Sequence, residues 1–483
     1  MRRRVFVLAF ACAWAAWPQS LSDRIAKLLD APVARRAFWG IQVLDLERGE
    51  ILAEVNPQHY FLPASNTKLF TTALALVRLG PDYRFQTRVL AAQRPDDEGR
   101  VRGDLRLVGG GDPTLSNRAY PYSKEPKAGD PLQGIQELAE QLWQAGVRRV
   151  EGDIVGDDTA YVWEPYPAGW ALDDALWEYG APVSALTVND NLIQISLRAG
   201  AEGDPVAVRL SPPLDYYLVD CRVRVQPGGG RLLVERLPGS WHLRLWGIMA
   251  PREQRIVQVA IVDPALYAAR ALAVALRQRG IAVAGRAVVR HRYANEPAAV
   301  VPEGVELARR ESPPLIEVLR VIDKVSQNLH AELVLREVGR VLRGEGSRAA
   351  GLAEMAAFLE EAGVPRGEYR FLDGSGLSRL NLVTPAAVVR LLAWMYRSPH
   401  WEAWISLLPV GGEDGTLSGR FGGAARARRI HAKTGTLSLS NALSGYAQSR
   451  RGMLAFAIMA NNAVAPASEV RAVIDKIALL AAE

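Results

Sequence analysis

The sequence predicts an α/β fold of the mixed α+β kind, with one domain divided in two by a long β-rich insertion. Three observations predict it. Strand hairpins read at both ends of the chain, and helical periodicity recurs between them. From about residue 85 to 300 the texture changes to short alternating strands between Gly- and Pro-rich turns. A chain of 483 residues also exceeds what one core usually organises, so two or three domains are expected.

The elements follow in chain order. Residues 1–20 read as a secretory signal. Arg2, Arg3 and Arg4 precede an apolar run from Val5 to about Trp14, and Ala13 and Ala15 are small where a signal peptidase reads. The run is too short to span a bilayer, and Ala9-Phe10-Ala11 before Cys12 is a poor lipoprotein signal. Loss of this segment leaves Cys221 alone, so no intrachain disulfide is available and Cys221 reads as a small buried hydrophobe. A secreted, periplasmic protein follows, with loose membrane association left open.

Phe38–Leu46 and Ile51–Val55 read as two strands joined at Glu47-Arg48-Gly49-Glu50. A helix is predicted from about Ser65 to Leu79, after Pro63 and before Gly80-Pro81, with Leu69, Ala73, Leu76 and Val77 on its buried face. In the long middle region, strands are predicted at Val206–Leu210, Arg222–Val225, Arg231–Arg236, His242–Trp246 and Ile256–Val262. Helices return at Leu315–Val321, Asn328–Leu342, Ala350–Ala362 and Pro385–Tyr396. A hairpin of Asn441–Ser449 with Met453–Asn461 and a helix over Val470–Leu480 close the chain. Composition excludes some classes of function. With 49% hydrophobic and 23% charged residues the chain is globular, and no like-charge block or interleaved aromatic and basic run supports nucleic-acid binding.

Lysine is scarce. Of 58 basic residues seven are lysine (27, 68, 124, 127, 324, 433 and 476) and the other 51 are arginine. Lysine can lose its proton when desolvated, whereas arginine stays charged, so a retained lysine is a candidate general base. Lys68 stands in Ser65-Asn66-Thr67-Lys68, whose spacing of three puts both side chains on one helical face. The start of a helix favours negative charge on the Ser65 oxygen and disfavours positive charge on Lys68, which suits an activated serine nucleophile. The plain alternative is a helix cap followed by a surface lysine. Two further motifs weigh against it: Ser326-Gln327-Asn328, and Lys433-Thr434-Gly435 just before the C-terminal strand pair.

In that order the three motifs resemble the active site of penicillin-binding proteins and serine β-lactamases. The resemblance implies an antiparallel sheet flanked by helices, and an acyl-enzyme on Ser65 with Lys68 as base. It implies that Ser326 relays a proton to the leaving amine and that Asn328 holds the substrate's peptide group. Lys433 and Thr434 of Lys433-Thr434-Gly435 would bind the terminal carboxylate, with main-chain N–H groups of Ser65 and Thr436 as the oxyanion hole.

Ser65 and Ser326 are 261 residues apart and Ser326 and Lys433 only 107, which puts the long gap at the β-rich insertion. This resembles the class C low-molecular-mass penicillin-binding proteins, the D-alanyl-D-alanine carboxypeptidase/endopeptidase family with two nested inserted domains. Leu107–Leu115, Gly152–Asp158, Tyr179–Leu186 and Asp373–Arg379 are similar to that family as well. The resemblance implies a catalytic domain at 24–85 and 306–483, a β-rich body at 86–113 and 185–305, and a nested subdomain at 114–184. It also implies that Asp157, Asp158 and Arg379 face the free end of the stem peptide's diamino acid; otherwise Asp157 is a turn former and Arg379 a surface ion pair. Peptidoglycan peptides are the expected partners, β-lactams the expected covalent inhibitors, and a homodimer is left open.

Two rivals stand beside this reading. A serine β-lactamase or esterase could share the fold, but the Glu-x-x-x-Asn of class A β-lactamases has no counterpart between Ser326 and Lys433. A non-catalytic wall-binding protein would be expected to have lost a motif. Gly109–Gly111 and Gly228–Gly230 read as turns, and six histidines without ligand spacing predict no metal or other cofactor. The aromatic group of Tyr161, Trp163, Tyr166, Trp170, Trp177 and Tyr179 reads as small-domain core rather than a glycan platform.

Overall fold

Two five-stranded sheets organise the chain, one built from its two ends and one from the long insertion. The computed structural model describes residues 20–124, 129–297 and 303–483; the expected signal segment, all but Ser20, lies outside them. The terminal sheet is antiparallel, in the order Ile430–Leu437, Ser440–Ser449, Gly452–Asn461, Phe38–Asp45, Ile51–Val55. Strand alternation gives it two apolar faces. Leu454, Phe456, Ile458 and Ala460 pack with Ile41 and Val43 against the terminal helices Leu21–Leu29 and Ala467–Ala481. Ala455, Ala457 and Met459 face the opposite way, into a core shared with the helices Thr67–Leu79, Leu315–Lys324, Asn328–Arg343, Arg348–Glu361 and Pro385–Arg397. Both hairpins and all the helices expected outside the insertion are present, their ends shifted by a few residues. The helix Trp401–Leu407 was not expected.

The insertion is less purely β than its texture suggests. Its five-stranded sheet runs Ala287–Arg292, Ile154–Val162, Leu105–Val108, Gln86–Ala91, Val305–Glu311, with three three-stranded sheets beside it. Two helices were missed, Gln133–Gln144 and Pro264–Gln278. The second carries legible signals: Asp263 caps it by accepting from the Leu266 N–H at 3.0 Å, and Pro264 opens its first turn. Segment 114–184 does not pack apart. Ile135, Leu138, Leu142 and Ile154 share one core with Val89, Leu107, Ile193, Val259 and Leu272, because Ile154–Val162 is an inner strand of the insertion sheet. Cys221 is half-buried against this core and free. Among the described residues no helix is long and apolar enough to cross a membrane.

The sheet places His291 between two carboxylates. Its Nδ1 lies 2.9 Å from Asp158 Oδ1 and its Nε2 3.4 Å from Asp263 Oδ2, while Trp163 stacks on the ring. Burial pulls the imidazole pKa down, but hydrogen bonds to Asp158 and Asp263 outweigh it and raise the group to about 9. Its ordinary value is near 6.5. The folded value exceeds the unfolded one, so the stabilisation is whole below pH 6.5 and fades as pH climbs through 9. The parent should therefore lose on the order of 2 kcal/mol across that window, discounted from the full shift for partial access to water. A His291→Gln variant should melt at a nearly constant temperature over the same range; parallel losses in both would refute the assignment.

Candidate active site

The chain enters the site through Pro63 and a single 3₁₀ turn, Ala64–Asn66, which runs directly into the helix Thr67–Leu79. That junction puts Ser65 at the helix mouth and Lys68 one turn in. The turn is tied to the terminal sheet: Asn66 Nδ2 donates to Ser444 Oγ at 2.7 Å, and the Leu62 N–H donates to Asn461 Oδ1 at 2.7 Å. Behind it Gly376, at φ +83°, comes so close that a β-carbon would overlap the Ala64 carbonyl, so only glycine fits there.

Lys68 is wholly buried, and its amine donates to Ser65 Oγ at 3.0 Å, Asn328 Oδ1 at 2.6 Å and the Ser375 carbonyl at 2.6 Å. Burial holds its pKa well below the ordinary lysine range. Lys433 pushes the same way, and Asp373, Asp323 and Glu332 oppose. Asn328, the first residue of its helix, also donates from Nδ2 to the Tyr179 carbonyl at 2.8 Å. Ser326 lies in the short link between two helices with φ +65°, a left-handed conformation rare outside glycine, and its Oγ accepts from Lys433 Nζ at 2.8 Å. Gln327 caps the following helix by accepting from the Leu329 N–H at 2.8 Å.

Lys433, Thr434 and Gly435 lie on the edge strand of the terminal sheet. Gly435 passes close under the Pro63 carbonyl. Lys433 is buried, and Thr434 Oγ1 donates to Thr416 Oγ1 at 2.8 Å. The Ala432 N–H donates outward, to Pro409 O at 3.0 Å. Strand alternation then turns the N–H groups of Thr434 and Thr436 to the same outer edge, away from the sheet. All three motifs thus converge, linked as Ser65–Lys68–Asn328 and Ser326–Lys433.

Several residues around this centre escaped the sequence reading. Glu332 is buried on the helix that begins at Asn328, and its Oε1 accepts from the N–H groups of Gly374 and Ser375, both at 2.8 Å. Asp373 accepts from the N–H groups of Gly376 and Ser378 and from Asn381 Nδ2 and Trp170 Nε1. Together they clamp the 373–379 loop so that the Ser375 carbonyl meets Lys68. Asp323, one turn before Ser326, is buried, and among the described residues neither of its carboxylate oxygens has a partner in hydrogen-bonding geometry, the nearby Thr72 hydroxyl being given to the Lys68 carbonyl. Burial pushes it up to about 7, against the pull of Lys433, the Thr72 hydroxyl and then Lys68. Burial likewise brings Lys433 down to about 8, with Asp323 opposing. The available signal was an acid inside the apolar stripe of Val318, Leu319 and Ile322. Lys324 is a different case, a buried cation neutralised by Asp414 at 2.6 Å.

Asp157 and Asp158 do not join the centre. Asp157 is buried on an inner strand, its Oδ1 accepting from Thr159 N–H and Oγ1 at 3.1 and 2.6 Å and its Oδ2 3.8 Å from Arg106. Asp158 accepts from Ser184 Oγ at 2.8 Å and meets His291. The expectation that they face the substrate is corrected: strands on both sides cover Asp157, and Asp158 is occupied. Arg379 is part-exposed and pairs with Asp174 at 2.7 Å, an acid the sequence reading passed over. The aromatic group divides. Tyr161 is buried and donates to Glu337 Oε2, Trp163 stacks on His291, and Tyr166 and Tyr179 are exposed.

Comparison with known proteins gives a concordant picture. The model of the D-Ala-D-Ala carboxypeptidase 3 (S13) family matches residues 21–483. A D-alanyl-D-alanine carboxypeptidase of Actinomadura sp. is 35% identical, over 98% of this chain and 87% of that protein. The D-alanyl-D-alanine carboxypeptidase DacB of Haemophilus influenzae is 25% identical, over 86% of this chain and 83% of its own. The crystal structure of penicillin binding protein 4 from Haemophilus influenzae has the same fold, with a TM-score of 0.80 at 24% identity, covering 94% of this chain and 97% of that one.

Proposed function

We propose a mechanism from one premise, that the chain belongs to the D-Ala-D-Ala carboxypeptidase 3 (S13) family and is a serine D-Ala-D-Ala carboxypeptidase. Ser65 Oγ attacks the carbonyl of the penultimate D-alanine as Lys68 takes its proton. The tetrahedral oxyanion sits against outward main-chain N–H groups, that of Thr436 among them. Ser326 passes the proton to the departing D-alanine, and water then hydrolyses the ester. Lys433 and Thr434 hold the substrate's terminal carboxylate, and Asn328 its peptide group. One observation carries the reading: Lys68 Nζ, wholly buried, lies 3.0 Å from Ser65 Oγ. Desolvation there favours the neutral amine that a base requires.

The proposal extends to β-lactams as acylating inhibitors of Ser65, to endopeptidase cleavage of cross-links on the same centre, and to secretion. It also takes 24–85 and 306–483 as the catalytic body, less the strand Val305–Glu311, which pairs with Gln86–Ala91 in the insertion sheet. Arg379, set by Asp174, is the proposed contact for the far end of the stem peptide. Purified protein incubated with labelled muropeptides separates the alternatives. Release of terminal D-alanine supports the proposal, and binding without release would favour a wall-binding protein.

Asp323 makes the pH dependence specific. Burial raises its carboxyl pKa and lowers that of the neighbouring Lys433 amine, so the two titrate as a coupled pair. Where the carboxyl is ionised it keeps the proton on Lys433; at lower pH the carboxyl is itself neutral. Asp323→Asn should therefore pull the alkaline limb of kcat/KM to lower pH and leave the acid side nearly unchanged. An alkaline limb that stays in place would remove Asp323 from this account.

A further inference from the structure

A cavity of about 490 Å³ opens on the seam between the insertion sheet and the helix Asn328–Arg343, on residues that no catalytic step uses. Four arginines line it: Arg84, Arg88, Arg292 and Arg340. Glu337 is the one carboxylate among the lining residues, and it is already engaged. Both its oxygens accept from Arg340, at 2.7 and 2.8 Å, and Tyr83 and Tyr161 donate to it as well. Arg84 donates to the Ser312 carbonyl at 2.8 Å, which carries no full charge.

Arg88 and Arg292 have nothing comparable. Among the described residues neither side chain makes a hydrogen bond or an ion pair, and Arg292 is only 5% exposed with its Nε buried and unpartnered. A guanidinium cannot shed its proton to escape burial, so a buried one without a counter-charge is unfavourable until an anion or water meets it. The C-terminal end of the Asn328–Arg343 helix, capped by Gly344 on the cavity wall, opposes an anion with about half a charge. That does not offset two uncompensated guanidiniums.

We propose that this cavity is a binding site for a phosphate-class dianion, held by Arg88 and Arg292 between the insertion and the catalytic body. Two uncompensated forks match the double charge and several acceptor oxygens of a phosphate near neutral pH, whereas one carboxylate would leave a fork unpaired. Free phosphate and a phosphate ester offer the same oxygens to the two guanidiniums.

The test is thermal melting of the whole secreted chain against inorganic phosphate, with sodium chloride holding ionic strength constant, repeated with glycerol 3-phosphate. A saturable rise in melting temperature is expected with phosphate and none with chloride. A rise with glycerol 3-phosphate as well would extend the site to esters; a rise with phosphate alone would restrict it to the free ion. Arg88→Gln, at a half-buried position away from the catalytic groups, should weaken the apparent affinity at least tenfold and leave D-alanine release unchanged. Arg292→Gln should do the same if it folds, and Arg88→Gln decides the matter if it does not. No saturable rise in the parent, as for a merely water-filled cavity, would overturn the proposal. So would an undiminished rise in Arg88→Gln.

Discussion

Ser65→Ala should fold as the parent does and release D-alanine from a pentapeptide at least about 10³-fold more slowly, because the acyl-enzyme route is closed. The alanine fits the same 3₁₀ turn, and Asn66, Leu62 and Gly376, which fix that turn, are untouched. Lys68 keeps its bonds to Asn328 and Ser375, so the site stays assembled without its nucleophile. Substrate affinity should change little, and the loss should fall on kcat. Unchanged melting with release at the parent rate would remove Ser65 from the mechanism.

Lys68→Arg is the second large effect, and it tests the contrast between the two basic residues. Arginine keeps the charge and has donors to spare, but it cannot give up its proton, so the serine loses its base. General base contributions run at about 10²–10⁴-fold, and a loss in that range is expected in both acylation by penicillin and D-alanine release. The guanidinium must also find space where an amine made three short bonds with no solvent access. A Lys68→Met variant separates the two causes, since it removes the base with little change in volume. Equal loss in both variants assigns the effect to the proton. A Met variant that retained parent activity would show that Lys68 holds the site without acting as base.

How far the site could be read in advance depended on which residues carry a spacing rule. Ser65 and Lys68 stand one helical turn apart, and lysine is scarce enough that each one invites the question of its purpose. Glu332, Asp373 and Asp323 obey no such rule. An acid on a helix is usually solvated, and only the packed structure shows Glu332 turned inward to hold the 373–379 loop. Asp157 and Asp158 misled for the opposite reason. The resemblance assigned them to the substrate, with a turn as the alternative for Asp157, yet the register places Asp157 on an inner strand with neighbours on both sides. The Pro264–Gln278 helix had its Asp-Pro cap in plain view, but the strands around it dominated the reading of the region.

The most direct measurement is the intact mass of the purified protein after exposure to penicillin, followed by peptide mapping of the adduct. The mechanism predicts one penicilloyl group per chain, on the peptide that carries Ser65. That adduct should persist through denaturing electrophoresis, and neither Ser65→Ala nor Lys68→Arg should form it appreciably over the same exposure. An adduct on any other residue, or rapid turnover of penicillin with no adduct, would contradict the assignment of Ser65 as the nucleophile of a slowly deacylating carboxypeptidase.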